Sequence, residues 1–367
     1  MNEWRSRMTD ILDGHVHMGP IEQERAMLAA ADACGIARTG LVAIQDPWSG
    51  EGLPEALYMK WRYPERFYVF AGLNHATRLS QGKVRTESLA DQARRFAAIG
   101  CDGMKMIEGK PTSRQRMDVP VTDPYFADYW ACVEDLGLPI VWHVNDPEEF
   151  WDPALTPKWA ADRNWGYGPA DVQKETLYAE VDEVLARHPN LKITFAHFYF
   201  LSADLPRAAR FLEAHPNVHL DLAPGVEMLY NISRHPDAGR DFFLRHRDRI
   251  TLGTDLFSSL TPEQAVARTG ITFRWLETQD EFRVPGFADF LLGPPEDGII
   301  RGLSLPDEVL SRIYGKTLMS LAGATPARLD VAGAGALCDD IARIATELSG
   351  KEQDTQAAKV ARAFKSS

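Results

Sequence analysis

A closed α/β barrel of the (β/α)8 TIM class is the fold that the sequence predicts, and two observations predict it. Eight short apolar or β-branched runs alternate with stretches of helical periodicity. The first run ends in DGHVHMGP (13–20), which is not the Gly-rich phosphate turn that a doubly wound open sheet would place there.

The elements follow in order. DILDGHVH (10–17) reads as the first strand, and Ile21–Cys34 carries apolar residues at spacings of three and four, a helix. TGLVAIQ (39–45) and FYVFAGLN (67–74) are the second and third strands. The helical pattern Glu87–Ala98 leads to the fourth, CDGMKMI (101–107). Helix Pro124–Leu136 precedes LPIVWHV (138–144), which enters from the turn Gly-Leu-Pro at 137–139. Helices Lys174–Arg187 and Ala203–Ala214 run into His-Pro-Asn at 188–190 and 215–217. The strands after them are KITFAHF (192–198) and NVHLDLA (217–223), and ITLGTDL (250–256) is the eighth.

Three segments exceed a minimal barrel. Asn145 to about Ala170 is long for a βα loop and holds Trp151, Trp159, Trp165 and Tyr167, the composition either of a lid with an apolar inner face or of a segment packed against the barrel. Phe257–Leu303 is also long. The barrel is expected over 1–323 and a helical extension over 324–367. In the extension Leu337, Ile341, Ile344 and Leu348 form a stripe suited to the barrel or to a second subunit, and the basic end KVARAFKSS is expected to fray.

The chain has 367 residues, 45% hydrophobic and 25% charged, the profile of a globular protein. Its formal charge of −12 argues against nucleic acid or an anionic membrane as a partner and leaves a small molecule, with self-association open. Cys34, Cys101, Cys132 and Cys338 form no CxxC pair, so reduced thiols in a cytoplasm are expected. No signal-peptide core stands in MNEWRSRMTDILDG, and no run of about 18 apolar residues occurs.

The candidate chemistry gathers at strand ends. His15 and His17 alternate onto one face of the first strand, with Asp13 below them. His143 closes the fifth strand, His197 the sixth and Asp255 the eighth, and the carboxyl ends of the strands are where a barrel builds its site. Nitrogen and oxygen ligands meeting at one point suit Zn²⁺ or a related divalent ion. Lys105, near the end of the fourth strand, points at the same mouth, and an unpaired buried ammonium is costly. Weaker rim candidates are Gln45, Asp46, Trp48, Asn74, His75, Glu108, Lys110, Arg114, Arg116, Asn145, Asp146, Asp221 and Glu227, for which a solvated loop is the default reading.

These segments resemble the amidohydrolase superfamily and, within it, the amidohydrolase-related (amidohydrolase 2) family of hydrolases and non-oxidative decarboxylases. The resemblance is carried by DGHVH (13–17), GMKMI (103–107), PIVWH (139–143), HPNLKITFAH (188–197) and LGTD (252–255), and further by LETQDEF (276–282) and GLSLPDEVLSRIYGKT (302–317). It implies that His15, His17, His143 and Asp255 hold the metal. It also implies that His197 binds a second ion or acts beside the first as an acid, base or electrostatic group. Lys105, on the same resemblance, either faces the substrate of a mononuclear enzyme or is carboxylated and bridges two ions; one ion is expected, Zn²⁺ first, with Mn²⁺, Fe²⁺ or Mg²⁺ as alternatives.

The function expected is hydrolysis of a small amide, lactone or ester through a metal-activated water. Asp255, His197 and Lys105 are the catalytic residues, and Lys105, Asn145, Trp151 and Arg114 are the substrate contacts. The alternatives are a metal-dependent decarboxylase of an aromatic or dienoic acid and an inactive metal-binding barrel. The short connection from His17 to the helix at Ile21 speaks against the decarboxylase by analogy with family members that carry a larger segment there. Substrate identity lies in rim loops without a readable code.

Overall fold

The computed structural model describes residues 4–225, 227–284 and 298–366. All eight runs contain strands. β1 (Ile11–His17), β2 (Ile36–Ala43), β3 (Phe67–Gly72), β4 (Gly103–Gly109), β5 (Ile140–Val144), β6 (Ile193–Phe195) and β7 (Val218–Asp221) pair in chain order, all parallel. The eighth run is split. β8 (Ile250–Thr251) pairs with β7, and β9 (Leu256–Phe257) pairs with β1, so one stretch of chain closes the ring. Across the split, the Gly14 N–H donates to the Leu252 carbonyl at 2.9 Å and the Asp255 N–H to the His15 carbonyl at 2.8 Å. The break arises at Asp255, whose φ of 53° lies in the left-handed region.

Alternation sorts the strands into an inner and an outer face. Leu12, Val42, Tyr68, Phe70 and Val141 form a small apolar cluster with Leu318, the floor of the barrel. Their neighbours Ile11, Leu41, Val69, Met104 and Trp142 belong to the large cluster between the sheet and its helices. On β4 and β5, Lys105 and His143 lie on the same face as Phe70 and Val141, one layer above the floor. β1 breaks the rule. Strict alternation from Leu12 would turn His15 outward, but the register shifts between Asp13 and Val16. Gly14 therefore still faces Leu318 on the floor, while His15 and His17 turn inward and Val16 joins the outer cluster.

The outer helices are sealed at both ends. Leu89–Ile99 starts on Ser88, whose side chain accepts from the Asp91 N–H, and stops at Gly100 in the left-handed conformation. Pro124–Leu136 starts on Asp123 and stops at Gly137, also left-handed; it buries Phe126, Tyr129, Trp130 and Val133. Each large apolar side chain of this kind stabilises the fold by about 1.5–3 kcal/mol.

Beyond the barrel, residues 285–297 of the segment Phe257–Leu303 lie outside the described residues. The remainder forms helix Pro262–Glu277 and an antiparallel pair, β10 (Glu281–Arg283) with β11 (Ile299–Arg301). In the extension, helix Val331–Ser349 buries Leu337, Ile341 and Ile344 against this same chain. The expectation of a frayed basic end is corrected. Gln356–Lys365 is a helix, capped by Thr355, that buries Val360, Ala361 and Phe364, because the charges of KVARAFK fall on one side and the apolar residues on the other. Among the described residues, no helix is long and apolar enough to cross a membrane.

Candidate metal centre

His15, His17 and Asp255 converge at the mouth of the barrel, with one ligand atom of each within 4.8 Å of the others. The Asp255 carboxylate (Oδ1) stands 3.1 Å from His17 Nε2 and 3.8 Å from His15 Nε2. Ligand atoms on a tetrahedral ion with ~2.1 Å bonds stand about 3.4 Å apart, so these separations suit one small divalent cation. Asp13 fixes the arrangement from below. Its carboxylate accepts the N–H groups of His15 and Thr254, each at 3.1 Å, and the Thr254 hydroxyl, which ties β1 to the turn that presents Asp255. Gly253 lies between: a Cβ there would come within 3.0 Å of His15 Cβ and 3.1 Å of the Ala223 nitrogen.

Asp221, at the end of β7, orients two of the histidines. Its Oδ2 lies 2.7 Å from His15 Nδ1, and its Oδ1 accepts the His197 N–H at 2.8 Å and the Ala223 N–H at 3.0 Å. The proton of a neutral His15 is thereby kept on Nδ1 and the lone pair of Nε2 is aimed into the cluster. The rim reading treated Asp221 as a loop residue. The signal available for it was its place near the end of the seventh run, the same signal that singles out His197 and Asp255 in the sequence.

β6 stops early, at Phe195, where the sequence predicted a strand to Phe198. His197, Phe198, Tyr199 and Phe200 all take φ values between 51° and 57°, one left-handed turn of non-glycine residues. Such residues cost roughly 1–2 kcal/mol each. The bond from His197 to Asp221, the bond from the Tyr178 hydroxyl to the Tyr199 carbonyl at 3.0 Å, and burial of the aromatic side chains hold the turn. His197 Nδ1 stands 3.2 Å from the Ala223 carbonyl, so a neutral ring carries its proton there and offers a lone pair at Nε2.

His143 is adjacent but differently engaged. Its ring centroid is 4.7 Å from that of His197, while Nε2 faces the Asn145 carbonyl at 2.9 Å and Asp146 at 3.3 Å. Of the four expected ligands, the structure brings three together and leaves His143 Nε2 directed at its own loop. Lys105 joins the three: Nζ is 3.4 Å from His15 Nε2.

Burial decides the charges. It pushes His15 well below its usual range, helped by Lys105; it takes His197 to about 3 and His143 to about 4, helped by His143 and Lys110 respectively. All three are neutral imidazoles at neutral pH, the form that binds metal. Burial also lowers Lys105 to about 8, against the carboxylates of Asp221, Asp255 and Glu108, and raises Asp13 to about 7. Burial alone would raise Asp255 as well, but the hydrogen bond from His17, with the His15 and His197 rings beside it, holds it well below the carboxylate range.

The remaining candidates divide by direction. Arg114 turns away from the mouth to Glu180, at 3.2 Å, on helix Lys174–Arg187. Arg116 of the same segment instead lines a cavity of about 240 Å³ that Lys105 shares with Gln45, His75 and Glu108. There His75 bridges Glu108 at 2.6 Å and the Tyr125 hydroxyl at 3.0 Å. Asn145 is buried, and its side-chain amide donates to the Lys174 carbonyl at 3.2 Å. The loop after β5 has a core of its own, Phe150, Ala160 and Tyr167 with Trp151, Trp159 and Trp165. It is pinned to the barrel by the Tyr167 hydroxyl on Asp146 at 2.5 Å and by Lys110 over the Trp165 ring. Trp151 lines a second cavity.

Comparison with known proteins agrees with this architecture. The chain is similar in fold to an amidohydrolase from Burkholderia multivorans with bound zinc (14% identity, 86% of this chain and 99% of that one, TM-score 0.51). It is likewise similar to 2,6-dihydroxybenzoate decarboxylase from Rhizobium (15%, 86% and 98%, 0.50) and to an uncharacterised TIM-barrel protein from Bordetella bronchiseptica (13%, 89% and 99%, 0.50). No curated protein matches the sequence. The sequence model of the family described as Amidohydrolase (Amidohydro_2) matches residues 84–317, well over half the chain and five of the eight barrel runs, from the approach to the fourth strand onward; the chain belongs to the amidohydrolase family.

Proposed function

We propose that this protein is a metal-dependent hydrolase of a small amide, lactone or ester. The observation that carries the reading is the carboxylate of Asp255, kept ionised within reach of the imidazoles of His15 and His17. A divalent ion held by His15, His17 and Asp255, Zn²⁺ foremost, would acidify a water and polarise a carbonyl oxygen. His143 is the fourth donor of the proposal, and it can ligate through Nε2 only by giving up the Asn145 carbonyl. Asp255 accepts the proton of the attacking water and returns it to the leaving group. His197, with its proton on the Ala223 side, presents an acceptor; Lys105 is the better placed donor for the developing oxyanion. The cavity beside Lys105, of about 240 Å³, suits a small substrate.

The second reading, decarboxylation of an aromatic or dienoic acid, is favoured by the two cations, Lys105 and Arg116, that line this cavity and would receive a carboxylate. Turnover in ¹⁸O-labelled water separates the two. Hydrolysis puts label into the organic product, with exchange controlled for. Release of CO₂ with no label in the product would overturn the hydrolase and establish the decarboxylase.

A further inference from the structure

The cavity lined by Trp151 is not part of the metal group. It measures about 470 Å³ and opens between the loops that follow β5, β6 and β7. Its walls carry four carboxylates, Glu148, Glu149, Asp152 and Glu227, against two cations, Lys174 and Arg234. Glu227 is 7% exposed, and neither of its carboxylate oxygens has a hydrogen-bond partner among the described residues. One oxygen of Glu149 is buried in the same unpartnered state. Lys174 does not satisfy them; its ammonium reaches the Phe200 carbonyl at 3.4 Å. Buried polar atoms without partners are rare because each costs the full desolvation of its group, and two such carboxylates facing one cavity require donors from outside the chain. Trp151 and Phe200 add aromatic walls, and aromatic faces beside carboxylates favour a cation over an anion.

We propose that this cavity binds a primary ammonium group, with Glu227 and Glu149 accepting its N–H bonds and Trp151 and Phe200 flanking it. Phe200 also forms the partition to the metal group: its ring centroid lies 5.3 Å from that of His197 and 5.5 Å from that of His143. An ammonium seated there stands one ring away from the reacting centre. We therefore infer an amine-bearing substrate, a part of the proposal that rests on the hydrolase reading, whereas ammonium binding itself does not.

The test is calorimetric titration of the full chain with n-butylamine, n-butanol and butyrate, with metal content measured on each sample. The amine is expected to bind saturably and the other two to bind more weakly. Glu227→Gln should weaken the amine ~10-fold or more, leaving metal content and the butanol response unchanged. Absence of saturable amine binding, equal or tighter binding of butyrate, or full affinity in Glu227→Gln would each overturn the site. If Glu227→Gln does not fold, Glu149→Gln serves, with a loss in the same direction expected and unchanged affinity overturning the proposal. Amine binding with no preference for amine-bearing amides over neutral ones in turnover would overturn the substrate assignment while the ammonium site stands.

Discussion

Asp221 and His15 form a buried carboxylate–imidazole pair, Oδ2 to Nδ1 at 2.7 Å, and the second oxygen of the same carboxylate holds the backbone of His197. One side chain thus sets both the tautomer of a proposed ligand and the position of the neighbouring histidine.

Asp221→Asn tests that pair. The amide oxygen can still accept the His197 N–H, but its NH₂ then meets the N–H at His15 Nδ1 and drives the proton to Nε2, where it blocks ligation. Metal affinity should fall about 10–100-fold, as for other partners of metal-binding histidines. Competition against a chelator of known affinity reads this directly; unchanged affinity would show that Asp221 serves only the backbone.

Metal stoichiometry tests the role of Lys105. Elemental analysis should give close to one divalent ion per chain, chelation should abolish turnover, and re-addition of Zn²⁺ should restore it. Lys105→Met should then reduce kcat with metal retained, because Lys105 approaches His15 as a donor rather than as a ligand. Two ions per chain, both lost in Lys105→Met, would mean instead that the lysine is carboxylated and bridges them.

Asp255 is assigned both ligation and proton transfer, and Asp255→Asn separates them. A coordinating oxygen remains, so metal should persist at reduced affinity. The proton acceptor is gone, so hydrolysis should fall by roughly 10²–10⁴. A variant within about threefold of the wild-type rate would remove Asp255 from proton transfer.

Glu227 predicts a pH dependence of stability. Burial first, then repulsion from Glu149, raises its carboxyl from 4.5 to about 8 while the cavity is empty, so at neutral pH a bound ammonium ionises it and its proton leaves to solvent. Between those values the folded chain holds a proton that the unfolded chain has released, so the folded state loses stability as pH rises through this window. Below it the penalty is absent, and above it the penalty is complete. Chemical denaturation of wild type and Glu227→Gln should show the variant gaining on the wild type from pH 4.5 to 8. A constant difference across that range would mean that the carboxyl is not displaced.

Much of this was legible in the sequence because period-two and period-3.6 patterns report directly on which face is buried. All eight runs contain strands, and His15, His17 and Asp255 meet as their places at strand ends suggested. The inward turn of His15 was reached for an incomplete reason, since it depends on a register shift within β1 that alternation does not contain. Asp221 was underrated because its strand-end position, without a partner at a ligand spacing, does not by itself tie it to His15; the fold supplies that contact. Arg114 and Arg116 are two residues apart on one helix, and which of them faces the cavity depends on where that helix packs. The basic C-terminal end showed its charges to a reader of composition and its apolar stripe only once the helix had a surface to dock on.

The left-handed turn at His197–Phe200 has a mechanical consequence. In such a turn residues three apart stand on the same side, and the His197 and Phe200 rings are stacked 5.3 Å apart with 30° between their planes. His197 and the partition are therefore a single stiff plate of mirror-image backbone, with one end beside the metal group and the other at the cavity proposed for an ammonium. Glycine at Phe198 or Tyr199 would relax the backbone yet leave a void costing about 3–5 kcal/mol, so neither position can drift alone. Phe200 shares its backbone turn and its ring contact with His197, and room for an occupant of the cavity cannot be made at Phe200 without disturbing the turn that carries His197.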